Sequence, residues 1–168
     1  MDIVIKKMET DEEKKGKAYV HWKSWQEAYH GLISQKYLDD LTIETCEEYA
    51  NKYQENTIIA KDGEIVIGFV CYGEYRWKEE LIDCGEIIAM YVLSEYYGTG
   101  VAQKLMQAGL EEIATYPKVA VLVLKDNARA IRFYEKCGFQ FDGLVFEDES
   151  LSTKEIRMIK DENCRIIM

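Results

Sequence analysis

The twenty residues from Glu86 to Leu105, EIIAMYVLSEYYGTGVAQKL, constrain the fold more than any other stretch. A nearly continuous apolar run of strand length reaches Leu93, two tyrosines follow at 96 and 97, and Gly98-Thr99-Gly100 then opens an amphipathic segment. That order reads as strand, glycine turn, helix. Glycines at such a junction let the backbone turn tightly with its N–H groups outward, and the helix behind adds the positive end of its dipole. The junction therefore suits an anion, a phosphate or diphosphate above all. Two familiar phosphate loops do not fit it. A dinucleotide fingerprint needs glycine or alanine where Gln103 stands, and a Walker A loop needs a Gly-Lys-Ser/Thr triplet. Alone, glycine-x-glycine after a strand is equally compatible with a plain tight turn.

The flanking pattern extends this unit. From Gly98 to Ala114, Val101, Leu105, Gly109 and Ile113 form one apolar stripe, and Val119 to Leu124, VAVLVL, reads as a second strand covered on both faces. Strand, helix and strand in this order predict a right-handed crossover between two parallel neighbours. Asn127 or Asp126 then caps a helix, ARAIRFYEKC, closed by Gly138, and Phe139 to Asp142 and Glu155 to Lys160 predict two last strands around an acidic loop at Glu147 to Glu149. Upstream, Ile3 to Met8 predicts a first strand. A helix capped by Thr10 or Asp11 follows, its stripe of Ala18, Trp22, Trp25 and Tyr29 strongly aromatic. Shorter helices start at Ser34 and Thr42, and together these helices are expected to cover one edge of a sheet. Thr57 to Lys61, Asp62-Gly63 and Glu64 to Tyr75 predict a hairpin, with Gly73 to Asp83 as a loop.

Composition narrows the function. The 168 residues, 48% hydrophobic with one proline, suit a single domain over residues 1–168. A net charge of -10 argues against nucleic acid or an anionic membrane as partner. It favours small cationic partners, or serves solubility. The five cysteines form no C-x-x-C pair and read as reduced thiols, and His21 and His30 lack the spacing of a zinc site, so no metal is expected. No apolar run approaches the roughly 20 residues of a membrane span, and the expected location is the cytoplasm.

Two segments, YYGTGVAQKLM (Tyr96 to Met106) and LKDNARAIRFYEKCGF (Leu124 to Phe139), together resemble the GNAT superfamily of N-acetyltransferases, which use acetyl-coenzyme A. The first is similar to the family's Gln/Arg-x-x-Gly-x-Gly/Ala loop and helix, the second to its Asn-x-x-Ala-x-x-Phe-Tyr helix followed by Gly-Phe. HWKSWQEAYHGLISQKYLDDL is a looser likeness to the first helices of bacterial members. The resemblance implies a mixed α/β fold: a mostly antiparallel sheet with a splayed central parallel pair, flanked by helices. It implies further that amides around Gly98, Thr99, Gly100, Val101 and Ala102 hold the cofactor's diphosphate. Tyr97 stands where the family has Gln or Arg, so weaker affinity is expected. The pantetheine arm would pair with main-chain groups at Met90, Tyr91 and Val92, where one N–H would also hold the thioester oxygen. Asn127 is at once a helix cap and a candidate contact to the arm.

For the chemistry, the resemblance makes Tyr134 the acid that protonates the departing thiolate, a role its ordinary pKa near 10 allows. It makes Glu86 a candidate base toward the acceptor ammonium, although a solvated glutamate at a strand end fits equally. Arg129, Arg132 and Lys104 read as solvated residues that could meet the nucleotide phosphates. Trp22, Trp25, Tyr29 and Tyr37 read as core that could line the acceptor side. The expected reaction is direct acetyl transfer to a primary amine of a small, cationic molecule, with no covalent relay and a homodimer possible. The alternative is a module that binds acyl-coenzyme A without turnover.

Overall fold

The computed structural model describes residues 1–161, so Cys164 lies outside the described residues. The chain opens with strand β1 (Ile3–Lys7) and helices α1 (Asp11–Ala28), α2 (Gln35–Asp40) and α3 (Ile43–Lys52). Strands β2 (Thr57–Asp62), β3 (Ile65–Glu74) and β4 (Cys84–Val92) follow, then helix α4 (Val101–Glu112), strand β5 (Lys118–Leu124), helix α5 (Ala128–Lys136) and strands β6 (Gln140–Asp148) and β7 (Thr153–Asp161). Each early helix starts at a capping side chain. Thr10 and Glu13 form a reciprocal capping box on α1, and Ser34 and Thr42 cap α2 and α3.

All seven strands join one sheet in the order β1-β2-β3-β4-β5-β7-β6. Among the described residues only β4 and β5 run parallel, as strand, helix and strand required. Their pairing lasts from Cys84↔Lys118 to Ile87↔Val121 and then stops, while both strands run on. The cause lies on the other side of β4. Tyr72 of β3 faces Ile87 and Cys71 faces Ala89, so Ile88 is an extra, unopposed residue. Such a bulge bends its strand and increases local twist, and it sits where β4 leaves β5. The splayed parallel pair is therefore built by the β3–β4 ladder.

One face of the sheet, with Ile87, Val119, Val121, Val123, Ile156 and Met158, shares a core with Leu105 and Met106 of α4 and Tyr134 of α5. On the other face Leu124 packs with Trp25, Tyr29 and Tyr37, and Ala120 and Ile159 pack with Tyr75, Trp77 and Cys84. The early helices thus cover a face: α1 lies on β3 and β4, and α3 packs on α1. Three local readings are corrected. The hairpin loop is Gly63-Glu64, one residue beyond the Asp-Gly pair, and Gly73 and Glu74 belong to β3. Strand β6 does not stop at Asp142 but runs through Gly143 to Asp148, with a register shift between Phe141 and Val145 that accommodates the glycine.

Candidate active site

Where β4 and β5 part, a cleft of about 560 Å³ opens. Its walls come from five places. Met90, Tyr91 and Val92 of β4 face Val121 to Val123 of β5; Tyr97, Gly98, Gly100 and Ala102 form one end; Asn127, Arg129 and Tyr134 come from α5, and Ser24, Ala28 and Tyr29 from α1 and its C-cap. The β5 side of residues 88–92 has no strand partner among the described residues, which leaves an edge that can accept an extended ligand.

At the glycine end, Gly98 and Gly100 have φ of 78° and 91°, and no atom of a residue other than their chain neighbours stands within 4 Å of where a Cβ of either would sit. Gly100 is the N-cap of α4 and no side chain caps the helix, so the first-turn amides are open to an anion. The Tyr97 ring lies beneath the Arg129 guanidinium, 3.3 Å from its carbon to the ring centroid. Arg129 has no ion-pair partner among the described residues, and Arg132 and Lys136 line the same cleft. Lys104 does not line it. Asn127 does cap its helix, accepting from the Ala130 N–H at 3.2 Å, and it also lines the cleft. Val101 is a core residue, and the exposed Thr99 hydroxyl donates back to the Tyr96 carbonyl, so neither side chain lines the cleft.

On the α5 wall, Tyr134 is 8% exposed, with its ring edge-on to Phe133 and Phe139. Its hydroxyl makes no hydrogen bond among the described residues. Burial, then the neighbouring Tyr29 and Cys137, push its pKa above the ordinary phenol value, so it stays protonated at neutral pH. Across from it, the hydroxyls of Tyr29 and Tyr91 share a hydrogen bond of 2.8 Å, and burial pushes both pKa values up as well. His21 stacks on Tyr91 with ring centroids 6.3 Å apart; burial and then Lys17 lower its pKa to about 4, so it is neutral.

Glu86 is placed elsewhere. It is 0% exposed, does not line the cleft, and is gripped by Arg76, whose Nε and Nη2 reach its two oxygens at 3.1 and 2.8 Å while the Arg76 backbone N–H adds a third bond. A carboxylate so held has its lone pairs committed. Of the early aromatics only Tyr29 lines the cleft. Trp25 and Tyr37 pack behind it, and Trp22 donates to the Leu41 carbonyl. Sequence reasoning missed Ser24 and Ala28, whose i, i+4 spacing on one face of α1 was the available signal.

The sequence profile of the acetyltransferase (GNAT) family matches residues 19–139. The chain belongs to that family. Among relatives of this GNAT acetyltransferase, the uncharacterized N-acetyltransferase YuaI of Bacillus subtilis is 30% identical over 155 residues, covering 85% of this chain and 88% of its own. The spermine/spermidine N(1)-acetyltransferase of the same organism is 28% identical over 133 residues, covering 74% of this chain and 87% of its own. The PaiA N-acetyltransferase of Thermoplasma acidophilum, solved in complex with coenzyme A, superposes with a TM-score of 0.73 at 20% identity, covering 96% of this chain and 99% of its own. Family membership brings the class of activity, acyl transfer. No helix among the described residues is long and apolar enough to cross a membrane, and no group of three or more metal-ligating side chains occurs among them.

Proposed function

We propose that this acetyltransferase moves the acetyl group of acetyl-coenzyme A directly to a primary amine of a small cationic acceptor, within a ternary complex. The observation that carries the reading is the splay of β4 from β5, which joins an uncapped helix N-terminus to a protonated tyrosine through one continuous cleft. The residues fit the cosubstrate. The open space at Gly98 and Gly100 leaves room for a diphosphate against the amides of Val101 and Ala102. Arg129, fixed by stacking on Tyr97, supplies the charge that Tyr97 itself lacks. Asn127 and the free edge at Met90 to Val92 suit the amides of the pantetheine arm.

Bound there, acetyl-coenzyme A supplies an acyl carbon activated as a thioester. The chain's own residues do the rest. A main-chain N–H at Tyr91 or Val92 polarises the carbonyl oxygen, and Tyr134 donates its proton to the departing sulfur. The acceptor enters from the α1 side, past Tyr29 and Tyr91. A cationic acceptor agrees with the net charge of -10 and with the spermine/spermidine acetyltransferase among the relatives. Thiol release from acetyl-coenzyme A with a panel of amines tests this. Turnover with polyamines above amino acids and amino sugars supports it, whereas tight coenzyme A binding without turnover on any amine makes the protein a binding module.

A further inference from the structure

The α1 wall of the cleft presents hydroxyls. Tyr29, the C-cap of α1, and Tyr91 of β4 both line it, and their hydroxyls share a hydrogen bond of 2.8 Å. Both rings are held from behind. Tyr29 lies edge-on to Trp25 with centroids 4.8 Å apart, and Tyr91 stacks on His21 and packs against Phe69. One proton spans the pair, and free lone pairs remain on it to accept a donor from the cleft. Ser24, 5% exposed and without a partner for its Oγ among the described residues, adds a third hydroxyl to this wall. Tyr134 comes from α5, on the other face of the sheet, so a thioester in the gap would lie between its hydroxyl and the pair.

Among the described residues, the charged side chains that line the cleft are Arg129, Arg132 and Lys136, all cations and all on α5. The nearby carboxylates stand elsewhere. Glu86 of β4 is gripped by Arg76, Asp62 of β2 takes the Tyr96 hydroxyl at 2.7 Å, and Glu155 of β7 and Asp148 of β6 lie outside the lining. Behind the pair, His21 is neutral, with Tyr49 of α3 stacked on it, and Lys17 sits over the Phe69 ring. Burial pushes the pKa values of Tyr29, Tyr91 and Tyr37 of α2 up, so all three stay hydroxyls at neutral pH. A neutral phenol is a good hydrogen-bond partner and a poor base. An alkylammonium entering this gap is opposed twice, by desolvation and by like charge.

We propose that the Tyr29–Tyr91 hydroxyl pair binds the reacting amine in its uncharged form, accepting one of its N–H groups, so that the site needs no side-chain base before attack. This rests on the acetyl-transfer reading and deepens it. Solvent removes the ammonium proton before the nitrogen enters the gap, and the acceptor's other cationic groups stay outside. Held by one N–H, the nitrogen turns its lone pair to the thioester carbon. The C–N bond forms as the carbonyl electrons move to oxygen, which the main-chain N–H of Tyr91 or Val92 holds. The C–S bond then breaks, the sulfur takes the Tyr134 proton, and the nitrogen's surplus proton restores Tyr134. The products are a neutral amide and a neutral thiol, so no proton is left over for a further group to accept.

The experiment is kcat/KM against pH for spermidine, or for n-butylamine should spermidine not turn over, in wild type, Glu86→Gln and Tyr29→Phe, with coenzyme A affinity measured alongside. Well below its pKa of about 10, an alkylamine gains uncharged form tenfold per pH unit, so kcat/KM should climb about 100-fold from pH 6 to pH 8 without levelling. Glu86→Gln should keep that slope. A profile that levels in this range marks a base on the enzyme and overturns the proposal, as does a slope lost in Glu86→Gln. Tyr29→Phe should raise the amine KM about fivefold, with kcat and coenzyme A affinity little changed and the slope kept. A fall in kcat with the slope lost would make Tyr29 the base, and an unmoved amine KM would remove the pair from the site; either overturns the proposal. Should Tyr29→Phe not fold, Tyr91→Phe removes the other hydroxyl and must raise the amine KM likewise. If wild type releases no thiol with any amine, the acetyl-transfer reading fails, and this proposal with it. Turnover with a levelled profile, or with an unmoved KM, removes only the uncharged-amine site.

Discussion

Replacing Tyr134 with phenylalanine removes one hydroxyl and leaves the ring that packs against Phe133 and Phe139. Because that hydroxyl makes no hydrogen bond among the described residues, the fold loses little, within about 1 kcal/mol. In the proposed reaction the change removes the proton donor. General acids contribute about 10² to 10⁴ in rate, and a thiolate, whose conjugate acid has a pKa of about 8.5, is a fair leaving group that calls for the lower figure. Turnover should therefore fall about 100-fold, equivalent to about 2.7 kcal/mol of transition-state stabilisation. Solvent cannot easily replace the donor, since Tyr134 is only 8% exposed. The raised pKa sets a second expectation: the acid form persists as pH climbs past neutrality, so wild-type kcat shows no alkaline fall below about pH 9 from loss of this proton. The assay is kcat by thiol release at saturating amine, with coenzyme A affinity by calorimetry. Equal turnover in Tyr134→Phe, or a loss confined to coenzyme A affinity, would refute the acid role.

Three further expectations follow from the geometry. Glu13 is 3% exposed; burial favours its neutral form, but Lys6 at 2.6 Å, the Thr10 and Glu9 amides and Lys61 outweigh this and hold its pKa at about 2. A lowered folded pKa stabilises above the unfolded value near 4.5 and is lost as pH falls through the folded one. Wild type should thus lose on the order of 3 kcal/mol between pH 5 and pH 2, and Glu13→Gln should show a flatter acid limb in urea melts. Arg76→Ala strands the buried Glu86 carboxylate and should cost about 3 kcal/mol in the same melts, most of it recovered when Glu86→Gln is added; additive losses would contradict the clamp. Gly100→Val places a branched side chain at φ 91° in the open end of the cleft, and should raise the coenzyme A Kd at least about tenfold while the fold survives a strain of about 2 kcal/mol. An unchanged Kd would remove the diphosphate from that turn.

Much of this was legible because it is local. The glycine turn, the stripe of α4, the Asn127 cap and the parallel relation of β4 to β5 each follow from a few neighbouring residues. What was not legible depends on register between distant segments. The splay needs the unopposed Ile88, and no pattern within VLSEYY or EIIAM marks a residue that β3 will fail to pair. Glu86 looks like a base at a strand start until the loop after β3 turns Arg76 back onto it. Arg129 reads as one more charge on an exposed helix, because its stacking on Tyr97 joins residues 32 positions apart.

The most direct measurement is a crystal structure grown with coenzyme A. The account predicts the diphosphate on the amides at the start of α4, the arm running along Met90 to Val92, and the sulfur within hydrogen-bond reach of the Tyr134 hydroxyl. Coenzyme A bound outside the gap between β4 and β5, or a sulfur far from Tyr134, would contradict it.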